Sequence, residues 1–236
     1  MAINKGISYI IGKNGITAYY GEEMINVTNN HRNYDKIVSS LKRKRWSEAI
    51  RLFSAKEAIK KYSVGKLTIQ GNSVFYKNKE VHNVVVDKII QDVTNKNKPS
   101  LNRHCAFLEK LLQNPSEHSV NQLYNFLQVC GLEIAQDGDF FAYKGVRSDW
   151  YDCHTGKHLN KVGRVLQMKR EKVDDDTQAC SSHGYHAGTE SYARTYGTKL
   201  LKVKINPKDV VAVPASENQK LRTCRYKVVK LLEDRG

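Results

Sequence analysis

Apolar and polar residues alternate at the start of the chain. Ile7, Tyr9 and Ile11 lie on one side of Asn14-Gly15, and Ile16, Ala18 and Tyr20 on the other. Period-two spacing places such residues on one face of a strand, and Asn-Gly suits a tight turn, so the pattern predicts a hairpin in the first 30 residues. The period then lengthens. Tyr34, Ile37, Val38 and Leu41 keep helical spacing, followed by Trp46, Ala49, Ile50 and Phe53, and then by Ala55, Ala58, Ile59 and Tyr62. Ser54 with Glu57 forms a capping box that starts the third helix, and Gly65 closes the block. Leu67, Ile69, Val74 and Tyr76 predict a second hairpin about Gly71-Asn72, and Val86, Ile89, Ile90 and Val93 a further helix.

The polar stretch from Thr94 to Ser100, with Pro99, reads as a linker. Leu101, Leu108, Leu111 and Leu112 make one helical stripe, stopped by Asn114-Pro115. Val120, Leu123, Tyr124, Leu127 and Cys130 make another, stopped by Gly131. Strands take over afterwards: Phe140 to Tyr143, then Leu201, Val203 and Ile205, then Val211 and Val213, then Cys224, Tyr226 and Val228, with one short helix from Glu190 to Tyr196. Residues 146–185 have many turn formers and little periodicity. The pattern predicts an α+β protein: an α-rich N-terminal half with small β-hairpins, and a β-rich C-terminal domain. The expected divisions are a small α+β domain with basic helices at 1–95, a helical hairpin connector at 96–131 and a β-rich domain at 132–236.

With 40% hydrophobic and 27% charged residues in 236, the composition is that of a globular protein. No apolar run reaches the 18 or so residues of a membrane span. The start is too short in apolar residues for a signal peptide, and five widely spaced cysteines fit a reduced interior better than a disulfide framework. The expectation is a soluble cytoplasmic protein. The net charge of +15 decides nothing by itself, since a Lys-rich surface that serves only solubility would give it as well as a basic binding surface; residues 1–136 carry 20 basic and 11 acidic residues, so the excess is spread along the chain. Such a field attracts nucleic acid, nucleotides, acidic proteins and lipid headgroups without choosing among them.

Three constellations could carry chemistry. Lys42-Arg43-Lys44-Arg45, with Lys60 and Lys61 on following helices, offers cations for phosphates, but cations also suit a helix C-terminus. Cys153-His154 and Cys180, His183 and His186 are residue types that zinc favours, at spacings that match no standard structural zinc site, so no metal and no cofactor is assigned. In HGYHAGTESYARTYG a glycine turn leads into a helix with Tyr192 and Tyr196 four apart on one face. With Tyr185 and His186, and with Lys144, Arg147, His183 and Arg225 for phosphate, this could form a pocket for a planar ring; the tyrosines could equally be core residues. No Gly-x-Gly-x-x-Gly, phosphate-binding loop or Gly-x-Ser-x-Gly elbow occurs, and Asp174-Asp175-Asp176 reads as a solvated loop.

Several long stretches together resemble a known family. RNYDKIVSSLKRKRWSEA, FYKNKEVHN and FLEKLLQNPSEHSVNQLYNFLQ carry the likeness in the first half. DGDFFAYKGVRSDWYDCHTGKHLNKVG, MKREKVDDDTQACSSHGYHAGTESYARTYG and VKINPKDVVAVPASENQKLRTCRYKVV carry it in the second. They resemble the rIIB family of tailed bacteriophages, across nearly the whole chain. The resemblance implies an early, non-virion protein of the infected host cytoplasm that alters lysis timing and counters host exclusion. It also implies an rIIA-like phage partner and at most peripheral membrane association. It implies no agreed molecular activity.

FFAYKGV, HGYHAGTESYARTYG and LLKVKINPKDVVAV also resemble the order of elements in the ADP-ribosyltransferase fold. That likeness would put Lys144-Gly145 at the His-Gly position, Tyr185 and His186 in the aromatic turn, and Tyr192 and Tyr196 on the nicotinamide side. Lysine replaces the histidine, however, and Arg225 and Lys227 lie where a catalytic glutamate belongs. The leading expectation is therefore a non-catalytic host-takeover or counter-defence protein that binds a nucleotide-like ligand, such as a nucleotide signal, or a host defence protein. An NAD-using enzyme and a DNA- or RNA-binding protein are the alternatives, and self-association is left open.

Overall fold

The computed structural model describes residues 7–20, 23–29, 31, 33–53, 62–70, 73–179, 182–214 and 219–236. The Ser54–Glu57 cap and its helix, the Gly71-Asn72 turn, Lys60, Lys61 and Cys180 lie outside the described residues. The fold is α+β, as the pattern predicts, and the strands of the described residues lie in three sheets. The chain divides into two compact units, residues 1–62 with 68–73, and residues 63–67 with 74–236. The divisions expected after residues 95 and 131 both fall within the second.

In the first unit β1 (Ser8–Gly12), β2 (Gly15–Tyr20) and β3 (Glu23–Thr28) form an antiparallel meander. Gly12 pairs with Gly15, so the two-residue turn is Lys13-Asn14, one position earlier than expected. Gly15 is fixed by the neighbouring strand instead: a Cβ there would collide with the carbonyl of Val27. Helices α1 (Tyr34–Lys42) and α2 (Trp46–Phe53) bury Ile37, Leu41, Ala49 and Phe53 in one core with Ile16, Ala18 and Val27. Between them the basic run builds the helix end. Arg45 N–H donates to Ser40 O at 2.9 Å and Lys44 N–H to Leu41 O at 3.0 Å, with Lys44 at φ 53°. This is a Schellman cap with lysine in the place usually taken by glycine.

Strands β4 (Tyr62–Val64), β5 (Leu67–Gln70), β6 (Ser73–Tyr76) and β7 (Lys79–Glu80) follow in chain order. In the second unit α3 (Val84–Thr94) and α4 (Lys98–Leu111) are separated by three residues, which corrects the linker expected at Thr94–Ser100. Pro99 sits in the first turn of α4, where its missing N–H costs nothing, and Asn97 caps the helix by accepting from Ser100 N–H at 3.2 Å. Buried Asp92 and His104 lock the two helices through Oδ2 and Nδ1 at 2.7 Å. Helix α5 (Glu117–Val129) is capped by Ser116 and ended by Gly131 at φ 61°.

A seven-stranded sheet completes this unit. In chain order its strands are β8 (Phe140–Val146), β9 (Val165–Gln167), β10 (Tyr185–Gly188), β11 (Lys199–Ile205), β12 (Val210–Ala212), β13 (Lys220–Thr223) and β14 (Arg225–Asp234). Their spatial order is β12-β13-β10-β8-β11-β14-β9. One face buries Phe140, Ala142, Leu201, Val203, Ile205, Tyr226 and Val228. Among the described residues no helix is long and apolar enough to cross a membrane.

A candidate ligand cleft where two strands part

β11 pairs with β8 along seven consecutive residues, whereas β10 meets β8 at a single pair, Gly188 with Tyr143. Beyond that pair the strands diverge and a cleft opens between Lys144-Gly145 and Tyr185-His186. Helix α6 (Glu190–Arg194) closes one side, its Thr189 cap accepting from Tyr192 N–H at 3.2 Å. The helix end reaches the sheet only because residue 145 is glycine: a Cβ there would collide with the carbonyl oxygens of Ala193 and Tyr196. Gly188 is constrained in the same way by the carbonyl of Gln219. The cavity between these walls measures about 110 Å³ and opens to solvent.

One wall is aromatic. Tyr192 and Tyr196 stand with ring centroids 5.1 Å apart, and Tyr185 meets His158 and Tyr226 edge to face, each at 5.1 Å. Tyr226 is fully buried and donates its hydroxyl to Asn160 Oδ1, with burial pushing its pKa well above the ordinary value. The other wall is cationic. Lys144 Nζ donates to His186 O at 3.0 Å and lies 5.8 Å from the centre of the Tyr226 ring. Burial lowers its pKa, against the pull of Asp152 and Cys153. Lys220, 5% exposed, places its Nζ 5.6 Å over the Tyr192 ring. His186 donates its Nε2–H to Ser182 O at 3.0 Å; burial, then the charges of Lys144 and Lys220, bring its pKa down to about 4, so it stays neutral at pH 7.

Asp152 is the one carboxylate among the described residues lining the cleft, and its oxygens are committed. They accept from the backbone N–H groups of Thr155 (2.6 Å), Lys157 (3.0 Å) and His158 (2.8 Å) and from the Thr155 hydroxyl at 3.0 Å. Burial alone would raise its pKa; the Thr155 and His158 donors overcome that and hold it at about 2. Asp152 therefore folds the DCHTGKH turn and has no lone pair left to orient a sugar hydroxyl or to take a proton.

Of the ligand-binding residues proposed from sequence, Lys144, His183, Tyr185, His186, Tyr192 and Tyr196 line the cleft. Arg147 does not. It is exposed and paired with Asp149 at 2.7 Å, because the 147–151 turn carries it away from β8. Arg225 does not either: on β14 it alternates with buried Tyr226, and its side chain is on the exposed face. Sequence reading missed Lys220, Asp152, His158 and Arg222. The last is 1% exposed and donates to the carbonyls of Asp176 and Ala179 and to Ser182 Oγ, holding the loop that forms the rim. Lys220 and Arg222 alternate on β13 and would have been read as surface cations; only their pairing with Gly188 and His186 turns them inward. Among the described residues no three His, Cys, Asp or Glu side chains converge as metal ligands. Lys42 to Arg45 are exposed at the end of α1, and Arg45 faces Glu48 at 3.6 Å.

Every cleft residue falls within residues 12–234, which match the family described as Bacteriophage T4 protein rIIB. The chain belongs to the rIIB family of bacteriophage proteins. It is similar to Protein rIIB of Enterobacteria phage T4, with 39% identity over 207 residues, covering 86% of this chain and 65% of that protein. This rIIB-family chain thus spans just under two thirds of the length of its curated relative. No solved structure matches it significantly, so the likeness to the ADP-ribosyltransferase fold rests on element order alone.

Proposed function

We propose that this rIIB-family chain is a non-catalytic host-takeover protein of the infected cell's cytoplasm whose cleft captures a nucleotide-like ligand. The observation that carries this reading is the pairing of the two walls. Tyr192 and Tyr196 offer ring faces to a planar group, while Lys144 and Lys220 supply charge for an anionic group a short distance away. Aromatic–cation pairs of this kind suit a base joined to phosphate. The committed state of Asp152 favours binding over turnover, because a developing oxocarbenium needs a free carboxylate. Sequestering a nucleotide signal, or presenting it to an rIIA-like or host protein, is the counter-defence role that this cleft supports.

The test is to purify the chain from host cells at moderate salt, denature it and identify released small molecules by mass spectrometry. Calorimetric titration of nucleotides into the wild type and Tyr192→Ala follows. A stoichiometric nucleotide, bound at least tenfold more weakly by Tyr192→Ala and recovered unchanged, supports the reading. Labelled product from NAD and host extract that disappears in the same variant would replace it with the enzymatic alternative. No ligand in either assay removes it.

A further inference from the structure

Alongside the row covered by α6, one face of the seven-stranded sheet carries two open rows of side chains. In the first, Tyr143 of β8, Lys202 of β11 and Lys230 of β14 lie side by side in register. In the second, Phe141, Lys204, Lys227 and Val165 do the same across β8, β11, β14 and β9. Arg225 stands two residues before Lys227 on the same face of β14, about 7 Å away.

Two lysine pairs thus face each other directly, Lys202 with Lys230 and Lys204 with Lys227. Like charges opposed in an antiparallel ladder are destabilising. Acidic residues offset only one side of each pair: Lys202 reaches Glu133 at 3.5 Å, and Lys204 reaches Asp137 at 2.6 Å and Asp139 at 3.8 Å. Arg225, Lys227 and Lys230 are exposed, with no ion pair among the described residues. The face thus carries three exposed cations along β14.

Its other half is aromatic. Phe141 and Tyr143 are both part-exposed, and Lys202 Nζ lies 4.0 Å over the Phe141 ring. They stand two strands from β14, about 10 Å away, close to the reach of a nucleotide from its phosphate to its base. A rigid sheet with ring faces beside a row of cations stacks unpaired bases while holding their backbone. A duplex keeps its base faces hidden from such rings. We infer that this face binds single-stranded nucleic acid, with the phosphates against Arg225, Lys227 and Lys230 and the bases against Phe141 and Tyr143. The site is separate from the cleft and does not depend on what the cleft binds.

The test is fluorescence anisotropy of the full chain with labelled single-stranded DNA and RNA oligonucleotides, the matched duplex, and polyglutamate as competitor. Single strands should bind, with a log–log salt slope of about −2 for three phosphate contacts. Lys227→Glu with Lys230→Glu should weaken binding at least tenfold, and the milder Lys227→Gln with Lys230→Gln severalfold. Tyr143→Ala should weaken it severalfold at unchanged salt slope, while Lys42→Glu with Arg43→Glu leaves it unchanged. Absent binding at low salt, preference for the duplex, equal competition by polyglutamate, or dependence on Lys42 and Arg43 instead would each overturn the inference.

Discussion

Lys144 and His186 are joined across the parting of β8 and β10: the ammonium donates to the His186 carbonyl at 3.0 Å while its charge helps keep the imidazole neutral. The His186 pKa of about 4 lies below the ordinary 6.5, so between these values the unfolded chain binds a proton that the folded chain does not. The stabilisation is complete above pH 6.5 and is lost as pH falls through 6.5 towards 4. Urea denaturation at pH 7.5 and at pH 5 should differ by about 2 kcal/mol from this group. His186→Asn should lose that share of the pH dependence; an unchanged difference would show that other groups set it.

Gly145 and Gly131 should answer alanine differently. At Gly145 the obstacle is backbone, the carbonyl oxygens of Ala193 and Tyr196, so Gly145→Ala must displace α6 and break the aromatic wall. A loss of about 3 kcal/mol or more and weakened ligand capture are expected. At Gly131 nothing lies within 4 Å of an added Cβ, and only the φ of 61° resists it. Gly131→Ala should cost about 1 kcal/mol and leave ligand capture unchanged. Thermal melts and titrations of the two variants separate steric from conformational cost.

The sequence pattern reveals elements whose burial is one-sided. Ile16 and Ala18 on β2, and Leu201, Val203 and Ile205 on β11, alternate because their strands have one wet face, and the 3.6 period of α1 survives for the same reason. It misleads where a residue type has two uses. Pro99 suggests a linker yet opens a helix. Lys42 to Arg45 build a helix cap with exposed side chains, a use that the sequence offers beside the phosphate site. Tyr192 and Tyr196 are legible as a pair because four residues is one helical turn. Lys220, Arg222 and Asp152 are not, because what turns them inward is the pairing of β13 with β10 and a turn closed by backbone N–H donors. Neither leaves a local signal.

Two lysines occupy caps that glycine would fill with less strain. Lys96, at φ 55°, ends α3 with Asn97 N–H donating to Asp92 O at 2.9 Å, as Lys44 ends α1. Both side chains are exposed. Lys96→Gly should relieve the left-handed strain without losing a packed contact, stabilising the fold by about 1 kcal/mol and raising the melting temperature by a few degrees. A lower melting temperature would mean that the greater freedom of glycine in the unfolded chain outweighs the relief.

Arg222 sits opposite His186 in the β13–β10 register, and from that buried position it grips the rim loop by the carbonyls of Asp176 and Ala179 and the hydroxyl of Ser182. Methionine fills a similar volume but donates nothing, so Arg222→Met leaves those acceptors facing an apolar side chain, at a cost of about 2–4 kcal/mol. The loss should fall first on the rim. Asp174-Asp175-Asp176 then becomes a site for an aspartate-directed protease, cleaved faster than in the wild type under native conditions, before global unfolding is detectable. Arg222→Lys keeps the charge with a single donor group and should fall between the two. Equal cleavage in all three would place the hold on the rim elsewhere, in the Asp174 N–H bond to His183 O at 2.9 Å and the contact of Val173 with Gly184.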